Sequence, residues 1–125
     1  MDVGKQIEYW LQGAEEDLAA AQSLLEKGHL RHALFFAHLA LEKALKAHVT
    51  GRTGSVPPRI HNLTMLAERS GLKVPPDRAD LLRRFSAYAI EGRYPHTVTM
   101  ELGPDMASER LASARETVQW LKAQL

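Results

Sequence analysis

The chain has 125 residues, 45% of them apolar and 25% charged, with no cysteine and a formal net charge of +1. That composition suits one ordinary globular domain, residues 1–125, whose core needs neither disulfide nor metal, and it excludes disulfides and cysteine catalysis. No run reaches the roughly 18 apolar residues of a membrane span, and the opening Met-Asp-Val-Gly-Lys-Gln lacks the basic-then-apolar pattern of a secretory leader, so a cytoplasmic protein is expected.

Helix one is predicted from about Asp2 to Lys27. Ile7, Trp10, Leu11, Ala14, Leu18, Ala21 and Leu25 recur at three- and four-residue steps, and Gly28 is a natural stop. After a very short turn comes helix two, predicted to end near Thr50-Gly51, and the short turn makes the pair antiparallel. Leu30, Ala33, Leu34, Ala37, Leu41, Ala44 and Leu45 form its apolar stripe, widened by Phe36, Ala40 and Ala47. The other side mixes Arg31, His38, Glu42 and Lys46 with Phe35 and Leu39. Helix two is thus expected at the centre of a bundle, with Phe35 and Leu39 as candidates for contact with a second subunit.

Residues 51–60 read as a loop by their glycine and proline content. A short helix follows from about Asn62 to Ser70, ended by Gly71, and Val74-Pro75-Pro76 breaks the chain again. Asp77 is the expected N-cap of a fourth helix reaching Glu91, buried through Leu81, Leu82, Phe85, Tyr88 and Ala89 and stopped by Gly92. The loop Arg93-Tyr94-Pro95-His96-Thr97 and an extended link lead to Gly103. Pro104 then opens a last helix with the seam Ala107, Leu111, Ala114, Val118, Leu121 and Leu125. The fold class expected is all-α: an up-and-down four-helix bundle with one additional short helix.

Charge is uneven along the chain, with a net −4 over residues 1–28 and +4 over residues 29–61. Neighbouring helices that complement one another would produce this, and so would a basic surface for a polyanion. Among the six histidines, the only Glu-x-x-His match is Glu26 to His29, interrupted by Gly28 where the helix should stop. No Cys/His set or His-Glu-x-x-His is present, so neither a metal nor a cofactor is expected. Phosphate-loop, dinucleotide and serine-hydrolase motifs are absent as well.

Two constellations carry chemistry. Arg31, His38 and Glu42 line one edge of helix two, with Lys46 a turn beyond; an i, i+4 Glu42–Lys46 pair on a solvated edge is the ordinary reading. Arg93, Tyr94 and His96 lie together on a proline-stiffened loop after a helix bearing Arg78, Arg83 and Arg84. An arginine and a histidine suffice for metal-free RNA cleavage: imidazole takes a proton from the 2′-hydroxyl, and guanidinium neutralises charge building on the phosphate. The rival reading of His96 is a solvated loop histidine.

The order Trp10…Ala14…Asp17-Leu18…Ala21…Leu25…Gly28, then His38-Leu39-Ala40-Leu41-Glu42-Lys43-Ala44-Leu45-Lys46-Ala47, then His61-Asn62-Leu63…Leu66, then Arg93-Tyr94-Pro95 resembles the HEPN (higher eukaryotes and prokaryotes nucleotide-binding) domain family. The resemblance covers nearly the whole chain and implies a dimerising helical bundle paired with a minimal nucleotidyltransferase, often as a toxin–antitoxin module. It implies nucleotide binding, for which Lys43, Lys46 and His61 of the basic segment, with Arg93, are the candidate phosphate contacts. It also implies a fate to test for Tyr94, since some members carry a tyrosine beside the motif that the transferase modifies with AMP. Active members are metal-independent ribonucleases with an arginine, four to six residues, then a histidine. Here Arg93 and His96, the candidate catalytic pair, have only two residues between them, whereas Arg31 and His38 have six but lie on helix two. The readings in play are a binding module with a transferase partner, a ribonuclease with a degenerate motif, and a non-catalytic oligomeric adaptor.

Overall fold

A computed structural model describes residues 1–93 and 102–125, with side chains for residues 1–89 and 102–125. Its order is α1 (Val3–Glu26), α2 (Leu30–Thr53), α3 (Leu63–Ser70), α4 (Pro76–Arg93) and α5 (Pro104–Ala123), with no strand among the described residues. The caps follow from local chemistry. Asp2 accepts from the Lys5 amide and starts α1, and Asn62 accepts from the Met65 amide and starts α3. At the end of α1 the Gly28 amide bonds Leu25 O and the His29 amide bonds Leu24 O, with Gly28 at φ +81°. That Schellman closure reverses the chain within three residues.

Contacts between α1 and α2 run in opposite directions along the two sequences: Ile7 lies near Gly51, Trp10 near Lys46, and Asp17 near Lys43. The pair is antiparallel, as its short turn predicts. α2 packs against every other helix. Ala33, Leu34, Ala37, Ala40, Leu41, Ala44, Leu45 and Ala47 are fully buried, while Leu30 and Phe36 are half-buried at its margins. Leu18 of α1, Leu63 and Leu66 of α3, Phe85 of α4, and Leu111, Val118 and Leu121 of α5 close around it. The alanines let helix axes approach, and the leucines and Phe85 fill the space between them.

The bounds of α2 and α4 differ from expectation. α2 continues through Gly51 to Thr53 and stops at Gly54, whose φ is +68°. Gly51 lies inside the helix where a Cβ would meet Ile7 Cδ1 at 3.4 Å, so it marks a close approach of α1 and not a terminus. α4 begins at Pro76, so Asp77 lies in its first turn instead of capping it. The Ala79 amide bonds Pro75 O, and Asp77 there complements the positive end of the helix dipole. α4 also continues through Gly92 to Arg93, where the first described segment stops.

Candidate functional site

His38, Glu42 and Lys46 succeed one another by four residues on α2, so they share one edge of it. That edge is covered, not solvated. Lys46 Nζ lies 5.5 Å from the centroid of the Trp10 ring on α1, and the connection from α2 to α3 brings His61 over Glu42. His38 is fully buried, and the side chains of Glu42 and Lys46 are 7% and 9% exposed. The i, i+4 pair is therefore present but sits inside the protein, where leaving either charge alone is costly.

Glu42 is the hub. Its Oε2 accepts from Lys46 Nζ at 3.1 Å, and its Oε1 accepts from His61 Nδ1 at 3.0 Å. His38 Nδ1 lies 4.0 Å from the same Oε1, while His38 Nε2 donates to the main-chain carbonyl of His61 at 3.1 Å. His61 is thus held by backbone and ring, immediately before Asn62 caps α3. Its ring is nevertheless 58% exposed. The result is a largely exposed imidazole with one nitrogen committed to a buried carboxylate, an arrangement suited to attack on an electrophile from the other nitrogen. Sequence reasoning placed His61 among candidate phosphate contacts without seeing Glu42 beside it. The signal available was a histidine at the end of a Pro-Pro loop and three polar residues spaced by four in a helix otherwise of Ala and Leu.

The other candidates are scattered. Lys43 Nζ pairs with Asp17 Oδ2 at 2.8 Å, its stem crossing α1 where Gly13 leaves room for it. This pair joins the acidic first helix to the basic second one. Phe35 and Leu39 are half-buried, the Phe35 ring edge-on to Phe36. Arg93 is the last residue of α4, with its side chain outside the described residues, and Tyr94 and His96 lie outside them altogether. Among the described residues no three His, Cys, Asp or Glu are placed to hold a metal ion, and no helix is long and apolar enough to cross a membrane.

Two further features went unread in the sequence. His48 is buried and donates from Nε2 to Leu121 O at 2.6 Å, tying α2 to the last turn of α5. Burial pushes its pKa below the ordinary histidine value, and the bond to Leu121 opposes that only in part. Where α2 ends, a surface pocket of about 380 Å³ is lined by Val49, Thr53, Ser55, Val56, Pro58 and Arg69.

An all-helical bundle built on one buried central helix, with a carboxylate–imidazole centre at its edge, is the class of protein these features define. The HEPN domain model matches residues 7–124, and the chain belongs to the HEPN domain family. Two solved structures are similar to it. TT1696 from Thermus thermophilus is 27% identical with a TM-score of 0.84, covering 96% of this chain and 98% of that one. ST0689, described as an archaeal HEPN homologue, is 26% identical with a TM-score of 0.67, covering 94% of this chain and 96% of that one. No curated protein matches the sequence significantly.

Proposed function

We propose that this HEPN-domain protein is a nucleotide-binding module that works with a minimal nucleotidyltransferase in a toxin–antitoxin-like pair. The observation that carries the nucleotide part is the pocket at the end of α2. Val49, Val56 and Pro58 offer apolar surface to a base, and the Thr53 and Ser55 hydroxyls and Arg69 offer polar groups to sugar and phosphate. A volume of about 380 Å³ falls in the usual range for small-ligand sites, roughly 300–1,000 Å³. Arg52, Arg59, Arg69 and Lys73 have no carboxylate partner among the described residues, against the single acid Glu68 in that stretch. Lys43 and Lys46 already face Asp17 and Glu42, so the phosphate falls to Arg69.

Calorimetric titration with AMP, ATP and GTP tests this reading. Saturable heat is expected, with Arg69→Ala weakening affinity by about 10–100-fold, the equivalent of one charge-assisted hydrogen bond. No heat with any of the three removes the nucleotide part. Co-purification with a transferase encoded alongside tests the partner. Self-association through Phe35 and Leu39 predicts a dimer by light scattering that Leu39→Glu dissociates, and a strict monomer at micromolar concentration removes that contact. A second reading, RNA cleavage by Arg93 and His96, rests on an arginine and a histidine close in sequence, a set that suffices for metal-free cleavage. Cleavage of structured RNA in chelator, abolished by His96→Ala, is its expected result; cleavage unchanged in that variant overturns the assignment.

A further inference from the structure

The hydrogen bonds around Glu42 determine which nitrogen of His61 carries the hydrogen. Lys46 Nζ only donates, and an ionised carboxylate only accepts. With Glu42 Oε2 taken by Lys46 and Oε1 at 3.0 Å from His61 Nδ1, the Nδ1 atom must bear the hydrogen. In the neutral ring Nε2 then holds the lone pair. Nε2 has no hydrogen-bond partner among the described residues, and the ring is 58% exposed. His38, through the His61 carbonyl, stops the residue from swinging away. Among the described residues, His61 is thereby the one exposed imidazole held in a nucleophilic tautomer, within a stretch whose cations outnumber its acids.

The other described histidines lack this arrangement. His38 and His48 are buried and each donates to a main-chain carbonyl. His29 and His32 are exposed, their rings edge-on to one another with 6.3 Å between centroids.

We propose that His61 Nε2 is a phosphoryl-accepting site, taking the group from a small donor of the phosphoramidate or acyl-phosphate class. The Nε2 lone pair forms the new N–P bond as the donor's bond to phosphorus breaks. The leaving group departs with that electron pair, as neutral ammonia from zwitterionic phosphoramidate or as a carboxylate from an acyl phosphate. No proton has to move, because Nδ1 keeps its hydrogen. The ring becomes a phosphorylated imidazolium whose positive charge faces the Glu42 carboxylate, and that contact favours the transition state. Arg59, exposed two residues earlier, and the basic stretch behind it draw in the anionic donor. The step is independent of nucleotide binding at the α2 pocket.

The test uses the full chain and potassium phosphoramidate, with phosphorylated peptides mapped by mass spectrometry under alkaline conditions. His61 is expected to react about tenfold faster than His29 and His32, a margin typical of one activating charged partner. Glu42→Gln, checked for folding by circular dichroism, is expected to bring His61 down to their rate. Nitrogen-15 NMR of the wild-type ring is expected to show Nδ1 protonated and Nε2 bare. A wild-type His61 no faster than His29 and His32, a rate unchanged in folded Glu42→Gln, or a hydrogen on Nε2 each overturns the proposal. Should Glu42→Gln fail to fold, the wild-type rate ratio and the tautomer still decide.

Discussion

Removing one or both partners of the Glu42–Lys46 pair measures how much the covered edge of α2 contributes to the fold. In Glu42→Leu the Lys46 ammonium, 9% exposed, keeps only the face of Trp10. Breaking a buried pair from one side costs about 3–5 kcal/mol, and the remaining cation–π contact places this case near 3. In Lys46→Met the carboxylate keeps the hydrogen bond from His61, so a loss of about 2 kcal/mol is expected. The double variant leaves no stranded charge and adds apolar volume. It should lose only about 2 kcal/mol, most of it the anchor of His61, where independent effects would give about 5. Urea unfolding followed by circular dichroism supplies the four free energies, and melting temperatures should move by about 4 °C per kcal/mol. Single losses that add to within about 0.5 kcal/mol would refute the coupling and with it the picture of a desolvated centre.

His48 makes stability depend on pH. Its folded pKa is depressed, so the unfolded chain binds a proton more readily; the stability of the neutral, buried form is full above the ordinary value of 6.5 and falls as pH drops below it. Urea midpoints should decline from pH 7 toward pH 5 in the wild type, and less steeply in His48→Gln. The two glycines at the end of α2 should respond oppositely to alanine. Gly51→Ala gains about 0.5–1 kcal/mol of helix propensity while displacing only the tip of Ile7, whereas Gly54→Ala loses about 1 kcal/mol at its positive φ; thermal melts with the same sign for both would refute this. Phe85→Ala, in a fully buried ring stacked edge-on to Tyr88 at 4.9 Å, should cost about 3–5 kcal/mol by chemical denaturation.

Helices and most of their ends were legible because their causes are local. Apolar residues three and four apart need a 3.6-residue period, Gly28 and Gly71 can take positive φ, Asn62 caps, and Pro104 opens a helix without losing a hydrogen bond. Gly51 was misleading for a physical reason. A glycine can sit in a helix or end it at positive φ, and here Gly54 at +68°, not Gly51, takes the left-handed stop. In the same way, the Glu42–Lys46 spacing is written in the sequence but its burial is not.

By itself the sequence determined an all-helical chain and a central α2, since periodicity and capping act between near neighbours. Tertiary structure alone decided that Trp10 and His61 would cover the polar edge of α2, that Lys43 would reach Asp17, and that His48 would bond Leu121. Those contacts join residues 19 to 73 positions apart. They depend on which faces of the packed helices meet, and no local propensity specifies that.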